Sequence, residues 1–306
     1  MLASKLFRRM ASTVQSSVSV VTVIGAGLMG SGIAQVAAQS GLNVHLVDQS
    51  EGLLENAKER IVTSLKRVAK KKFADNAQMR ESFVSDSVDK ISFNVDGKAA
   101  AASSDLVIEA IVEKIEEKQK LFRELDLVAP SHTVFATNTS SLPVSDIASA
   151  TKRLDRFGGL HFFNPVPVMK LVEVAKTPET SNETFDLLTN FGKTVGKHPI
   201  SCRDTPGFVV NRLLVPYQME AFRMLERGDA SAEDIDMAMK LGAGYPMGPF
   251  ELSDYVGLDT LKFIYDGWHD QFPENPLFNP CALLDKFVEE GKLGVKTGEG
   301  VYKHGK

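Results

Sequence analysis

Residues 21–48 read VTVIGAGLMGSGIAQVAAQSGLNVHLVD. An apolar, β-branched run gives way to three closely spaced glycines, then to small residues, then to a second apolar run that ends in an acid. Apolar runs of this kind suit strands buried on both faces of a parallel sheet. Parallel neighbours need a crossover connection, usually a helix. The segment therefore confines the chain to an α/β layer structure, with the pattern G-x-G-x-x-G at a strand-to-helix turn. Gly25 permits the tight turn, Gly27 lets the backbone approach a pyrophosphate, and Gly30 allows close helix–strand packing. Ala26, Leu28 and Met29 fill the loop between them. The helix N-terminus that follows offers N–H groups and a positive dipole end to phosphate. Asp48, 18 residues beyond Gly30, can accept hydrogen bonds from adenosine ribose hydroxyls. Its charge would repel a 2′-phosphate, and no arginine lies nearby to bind one, so NAD is favoured over NADP.

The alternation continues beyond this segment. Strands are expected at 18–24, 43–47, 105–111, 134–137, 159–163 and 171–174, and helices at 31–39, 51–73, 115–128 and 185–195. The pattern predicts a Rossmann-type domain over residues 18–204, a mostly parallel sheet with helices on both faces. After Asp204-Thr205-Pro206-Gly207 the texture changes. Residues 208–226 and 232–240 read as helices, the second capped by Ser231, and strand signals become sparse. An all-α C-terminal domain over 205–306 is the expectation. A length of 306 residues suits two such domains.

Composition narrows the function classes. Apolar content of 43% and charged content of 24% are those of a soluble globular chain. A net charge of −4 gives no reason to expect a nucleic-acid partner. No membrane span is expected, since no apolar stretch is long enough. Cys202 and Cys281 have no partner motif, which argues against a disulfide framework or a cysteine-rich zinc site, and no metal is expected. Residues 1–17, MLASKLFRRMASTVQSS, hold Lys5, Arg8 and Arg9 and no acid. Leu2, Leu6, Phe7 and Met10 would share one side of a helix there. That is the pattern of a mitochondrial transit peptide; a disordered basic start is the alternative.

The densest polar constellation is His161, Asn164 and Glu173 within GGLHFFNPVPVMKLVEV. A hydride leaves a carbinol carbon only if the hydroxyl proton goes to a base, and histidine suits that task near neutral pH. A neighbouring carboxylate would fix its tautomer and stabilise the imidazolium. His161 ends one strand and Glu173 lies in the next, but spacing does not prove that they meet, and both could be structural. The run Thr137-Asn138-Thr139-Ser140-Ser141 follows a strand, so Ser140 could bind a ligand, or the run could cap the segment after Pro143. Lys66, Arg67, Lys70, Lys71 and Lys72 form a basic helix end. A solvated surface is the simpler reading and a site for a phosphorylated, nucleotide-like substrate tail the sharper one.

The motifs GAGLMGSGIAQ, EAIVEK, TNTSSLP, GLHFFNPVPVMKLVEV, DTPGFVVNRLL, GAGYPMGPFELSDYVGLD and VKTGEGVY occur in order. From about residue 18 onward the chain resembles the mitochondrial short-chain L-3-hydroxyacyl-CoA dehydrogenases of fatty-acid β-oxidation. The resemblance implies reversible oxidation of (S)-3-hydroxyacyl-CoA to 3-oxoacyl-CoA with NAD. It implies His161 as general base, Glu173 as its orienting partner, and Ser140 and Asn211 holding the reacting end of the substrate. It further implies cofactor contacts from Glu113, Lys118, Ser140, Asn164 and Lys296, and coenzyme A contacts from Ser64, Lys71 and Ser140. A homodimer formed through the helical domain, a site between the domains, and a mitochondrial matrix location follow from the same resemblance. Two alternatives stand beside it: a non-catalytic, crystallin-like relative, and an NAD dehydrogenase of another hydroxy acid.

Overall fold

The computed structural model describes residues 18–305; the transit-peptide expectation for residues 1–17 lies outside them. The chain divides into two compact units between Thr205 and Pro206.

The first unit is built on an eight-stranded sheet of order β3-β2-β1-β4-β5-β6-β7-β8. Its strands are β1 (Val20–Ile24), β2 (Asn43–Val47), β3 (Ile91–Asn94), β4 (Leu106–Glu109), β5 (Val134–Thr137), β6 (Phe157–Phe162), β7 (Leu171–Lys176) and β8 (His198–Arg203). Every neighbouring pair is parallel except β6–β7, which is antiparallel. The helices are α1 (Leu28–Gln39), α2 (Glu51–Lys72), α3 (Ala77–Val88), α4 (Gly97–Ala101), α5 (Ile115–Asp126), α6 (Val144–Ala148) and α7 (Asn182–Thr194). The mostly parallel Rossmann-type sheet is as the sequence predicts. Val21, Val23, Leu46, Leu106, Ile108, Val134 and Ala136 form its buried centre, with Ile33, Ala34 and Ala37 of α1 packed against them.

The departures have physical reasons. Helix α1 starts at Leu28, three residues earlier than expected, because Gly27 is already its N-cap residue. Strands β3 and β8 and helix α3 were not anticipated. Both strands are sheet edges, so their faces are only partly buried and their apolar pattern is weak. Pro199 is tolerated within β8 for the same reason. Helix α3 buries only Ser87 fully. The basic run is exposed, as its solvated reading expects, and Lys72 Nζ also lies over the rings of Phe73 and Phe83, 5.4 and 5.2 Å from their centroids.

The second unit is helical: α8 (Val210–Arg227), α9 (Ala232–Ala243), α10 (Pro249–Val256), α11 (Leu258–Gln271) and α12 (Ala282–Glu289). Ser231 caps α9 as expected, its hydroxyl accepting from Asp234 N–H at 3.1 Å. Phe222, Phe250, Leu258, Tyr265, Trp268 and Phe278 make its core. Asp254, fully buried, ties the chain end to α10 by accepting from Val301 N–H and Tyr302 N–H, both at 2.9 Å. No helix among the described residues is long and apolar enough to cross a membrane.

Candidate active site

Strands β1, β2, β4, β5 and β6 run parallel, so their carboxyl ends share one edge. The glycine-rich loop follows β1, Asp48 follows β2, Glu109 ends β4, residues 138–141 follow β5, and His161 lies near the end of β6. The strand order reverses between β1 and β4. Ligands of open α/β sheets bind outside the carboxyl ends at such a switch point.

The loop has the geometry that its glycines require. Gly25 sits at φ +100°, and a Cβ there would stand 2.5 Å from the Ala110 carbonyl oxygen. A Cβ on Gly30 would overlap the Gly25 carbonyl oxygen at 1.7 Å, so the helix could not pack so closely. Above Gly27 a Cβ would meet no protein atom within 4 Å, which leaves room for a ligand to approach the backbone. Asp48 is held in place by two backbone donors: Ala26 N–H to Oδ2 and Gln49 N–H to Oδ1, each 2.7 Å. These features fit a dinucleotide. One expectation needs correction. An arginine does stand at this loop: Arg60, on α2, donates from Nη2 to the Ala26 carbonyl at 2.6 Å.

A buried charge network underlies the loop after β5. Lys118 is 1% exposed, and its Nζ lies 2.6 Å from Glu109 Oε1 and 3.0 Å from Glu113 Oε2. Fully buried Glu109 also accepts from Ile111 N–H and the Thr137 hydroxyl, each at 2.7 Å. Glu113 Oε1 gathers the Thr139 hydroxyl, Ser140 N–H at 3.1 Å, Ser141 N–H at 3.3 Å and the Ser141 hydroxyl at 3.1 Å. Burial pushes the Glu113 carboxyl up, but the Lys118 charge and the Thr139 hydroxyl outweigh it and hold the group below its ordinary value. Glu113 and Lys118 thus bear on Ser140 by fixing the loop that carries it. Sequence reasoning passed over Glu109, for which the available signal was an acid inside the buried strand DLVIEAI; Thr137 and Thr139 were named only as part of the run 137–141.

This network carries a prediction. A carboxyl whose folded pKa is depressed contributes stability above its unfolded pKa and loses it as pH falls through the folded value. The Glu113 anchor is therefore constant through neutral pH and fails only in acid. Glu113→Gln should raise KM for NADH several-fold at pH 7 and speed hydrogen exchange at the Ser140 and Ser141 amides. Unchanged exchange at both amides would remove the anchoring role.

The alternative that residues 137–141 cap α6 is not what the structure shows. The first amides of α6, Val144 N–H and Ser145 N–H, bond instead to the Asp204 carboxylate at 2.8 and 2.7 Å. Asn138 serves the site differently, its Oδ1 accepting from Phe162 N–H at 2.8 Å. That bond ties the end of β6 to the loop after β5.

Antiparallel pairing of β6 and β7 sets His161 directly opposite Glu173. Their side chains meet: His161 Nδ1 lies 2.7 Å from Glu173 Oε2. Glu173 is fully buried and His161 is 5% exposed. A carboxylate on Nδ1 holds the proton there in the neutral ring and directs Nε2 to proton transfer. Asn164 is exposed on the loop after β6. That loop is pinned by Lys197, whose Nζ donates to the carbonyls of Val166 and Met169, the latter at 2.8 Å.

The remaining expected residues belong to other elements. Ser64 and Lys71 are on α2, half-buried and exposed respectively. Asn211 stands in the first turn of α8 and Lys296 near the chain end, both in the second unit. Lys296 Nζ is paired with Asp259 at 2.5 and 2.7 Å.

Two family models match the chain. The 3-hydroxyacyl-CoA dehydrogenase NAD binding domain covers residues 20–205, and the C-terminal domain of the same family covers residues 207–304. The mitochondrial hydroxyacyl-coenzyme A dehydrogenase of Homo sapiens is 63% identical over 284 residues, spanning 93% of this chain and 90% of that protein. A 3-hydroxybutyryl-CoA dehydrogenase of Mycobacterium tuberculosis is 44% identical, over 93% of this chain and 98% of its own. The crystal structure of (S)-3-hydroxybutyryl-CoA dehydrogenase from Ralstonia eutropha superposes with a TM-score of 0.89 at 40% identity, covering 95% of this chain and all of that one.

Proposed function

This chain belongs to the 3-hydroxyacyl-CoA dehydrogenase family, and from that premise we propose that it interconverts (S)-3-hydroxyacyl-CoA and 3-oxoacyl-CoA with NAD. The observation that carries the reading is the His161–Glu173 pair at 2.7 Å, on the same sheet edge as the glycine-rich loop. NAD, when bound, supplies the hydride acceptor. The loop from Gly25 to Gly30 and Asp48 would hold it, with Glu113, Lys118, Ser140, Asn164 and Lys296 completing its surroundings.

The chain's own residues do the proton work. His161 Nε2 takes the proton of the substrate's 3-hydroxyl, and Glu173 balances the charge that this places on the ring. In the reverse direction the same nitrogen returns the proton to the forming alkoxide. Ser140 and Asn211 hold the reacting oxygen and thioester. Ser64 and Lys71 take the coenzyme A portion. Ser64, Arg67 and Lys71 fall within ~60° of one another around α2. This stripe of two cations and a hydroxyl suits a phosphorylated tail.

The proposal extends to a homodimer in the mitochondrial matrix, acting in fatty-acid β-oxidation. Mitochondrial relatives support the location. Exposed Leu213, Leu241 and Phe263 of the helical unit, 70%, 79% and 63% accessible, supply apolar surface for a second copy. A non-catalytic relative would have no need of the intact His161–Glu173 pair, and a dehydrogenase of another hydroxy acid would have no need of the stripe on α2. NADH absorbance followed with 3-oxoacyl-CoA thioesters of increasing chain length tests the reading. Turnover with thioesters and none with free 3-oxo acids is expected. The reverse pattern would reject the coenzyme A assignment.

A further inference from the structure

Arg60 takes no part in the mechanism above, yet it reaches the glycine-rich loop from the middle of α2. Its Nη2 donates to the Ala26 carbonyl at 2.6 Å and to the Ser31 hydroxyl at 3.4 Å. Asp48 holds the N–H of that same Ala26 at 2.7 Å. A guanidinium and a carboxylate thus flank one loop residue, but Arg60 forms no ion pair with Asp48 or any other described acid. The Nε and Nη1 donors find no acceptor among the described residues, and the side chain is exposed. This placement is electrostatically odd. Helix α1 begins at Leu28, so the cation sits beside the positive pole of a helix, where anions are favoured and cations are not. An anion between them would satisfy both, and the helix N-terminus is where a dinucleotide's phosphates belong.

We infer that Arg60 is a phosphate-binding residue of the dinucleotide site, and that Asp48 alone keeps it from accepting a 2′-phosphorylated dinucleotide. The inference rests on the NAD reading and deepens it. The planar fork of donors can hold one carbonyl of the loop and still present N–H groups to phosphate oxygens. Asp48 excludes an adenosine 2′-phosphate by like charge. Once that carboxylate is removed, Arg60 remains as a cation at this loop, with Nε and Nη1 still free to donate.

The test compares the parent protein with Asp48→Ala, Arg60→Gln, Arg60→Lys and the Asp48→Ala/Arg60→Gln double variant. NADH and NADPH affinities are measured by fluorescence titration, and Tm is followed in parallel. Losing one charge-assisted hydrogen bond to phosphate should weaken NADH about tenfold in Arg60→Gln, with partial recovery in Arg60→Lys. Asp48→Ala should bind NADPH far better than the parent does, and the double variant should lose that gain. Equal NADPH affinity in the single and double variants would overturn the inference. So would equal loss of both dinucleotides in Arg60→Gln with a lowered Tm and no recovery by lysine, the signature of a purely structural tie. A parent protein that binds no NADH would instead reject the cofactor reading itself.

Discussion

His161→Gln is expected to lower kcat by roughly 10³- to 10⁴-fold while NADH affinity stays within about twofold, the range typical of losing a positioned general base. Glutamine keeps a polar group of similar reach and can still bond to Glu173, so the β6–β7 pairing has no reason to change. What it cannot do is hold a proton near neutral pH. The cofactor loop is built from β1, β2 and the turn after them, and Asp48 and Arg60 hold it at Ala26. The loss should therefore fall on kcat at saturating ligands, equivalent to about 4–5.5 kcal/mol of barrier. Stopped-flow or steady-state turnover with a 3-oxoacyl-CoA thioester, together with NADH titration, checks both halves. A rate within tenfold of the parent would remove His161 from the proton transfer.

How much of this was legible in the sequence depends on how local each feature is. The glycine-rich loop, Asp48 and the strands around them are local, and their apolar runs are long and buried, so they could be read directly. His161 and Glu173 were legible as residue types in a suitable pattern. Their contact was not, because it depends on an antiparallel register between β6 and β7 that spacing does not determine. Arg60 went unnoticed for a related reason. It is 12 residues from Asp48 in the chain and returns to the loop only because α2 runs back past it. Lys118 reads in sequence like any surface lysine of an acidic helix. Only the fold shows that its Nζ is enclosed between Glu109 and Glu113. In each case the residue type was visible and the partner was not, since partners are assigned by packing over distances that sequence periodicity does not span.

Glu173→Gln should also reduce turnover strongly, by roughly 10²- to 10⁴-fold, because the imidazolium formed at His161 loses its counter-charge and its fixed tautomer. The amide can mimic the carboxylate through its oxygen. In the flipped orientation it donates to Nδ1, which moves the ring proton to Nε2 and blocks the base. Either state disfavours proton uptake, so kcat falls more than KM rises. A second, independent readout distinguishes loss of charge from loss of shape. Cys202, on neighbouring β8, has its thiol pushed up to about 12, first by burial and then by the charges of Glu173 and Asp204. Removing the Glu173 charge should bring that thiol down, while burial keeps it above an ordinary cysteine. The pH dependence of Cys202 alkylation, measured in a Cys281→Ser background, reports the change. Reduced turnover with an unmoved Cys202 profile would mean that Glu173 acts through packing and carries no charge in the folded protein. Both shifts together would identify an ionised carboxylate that works through His161.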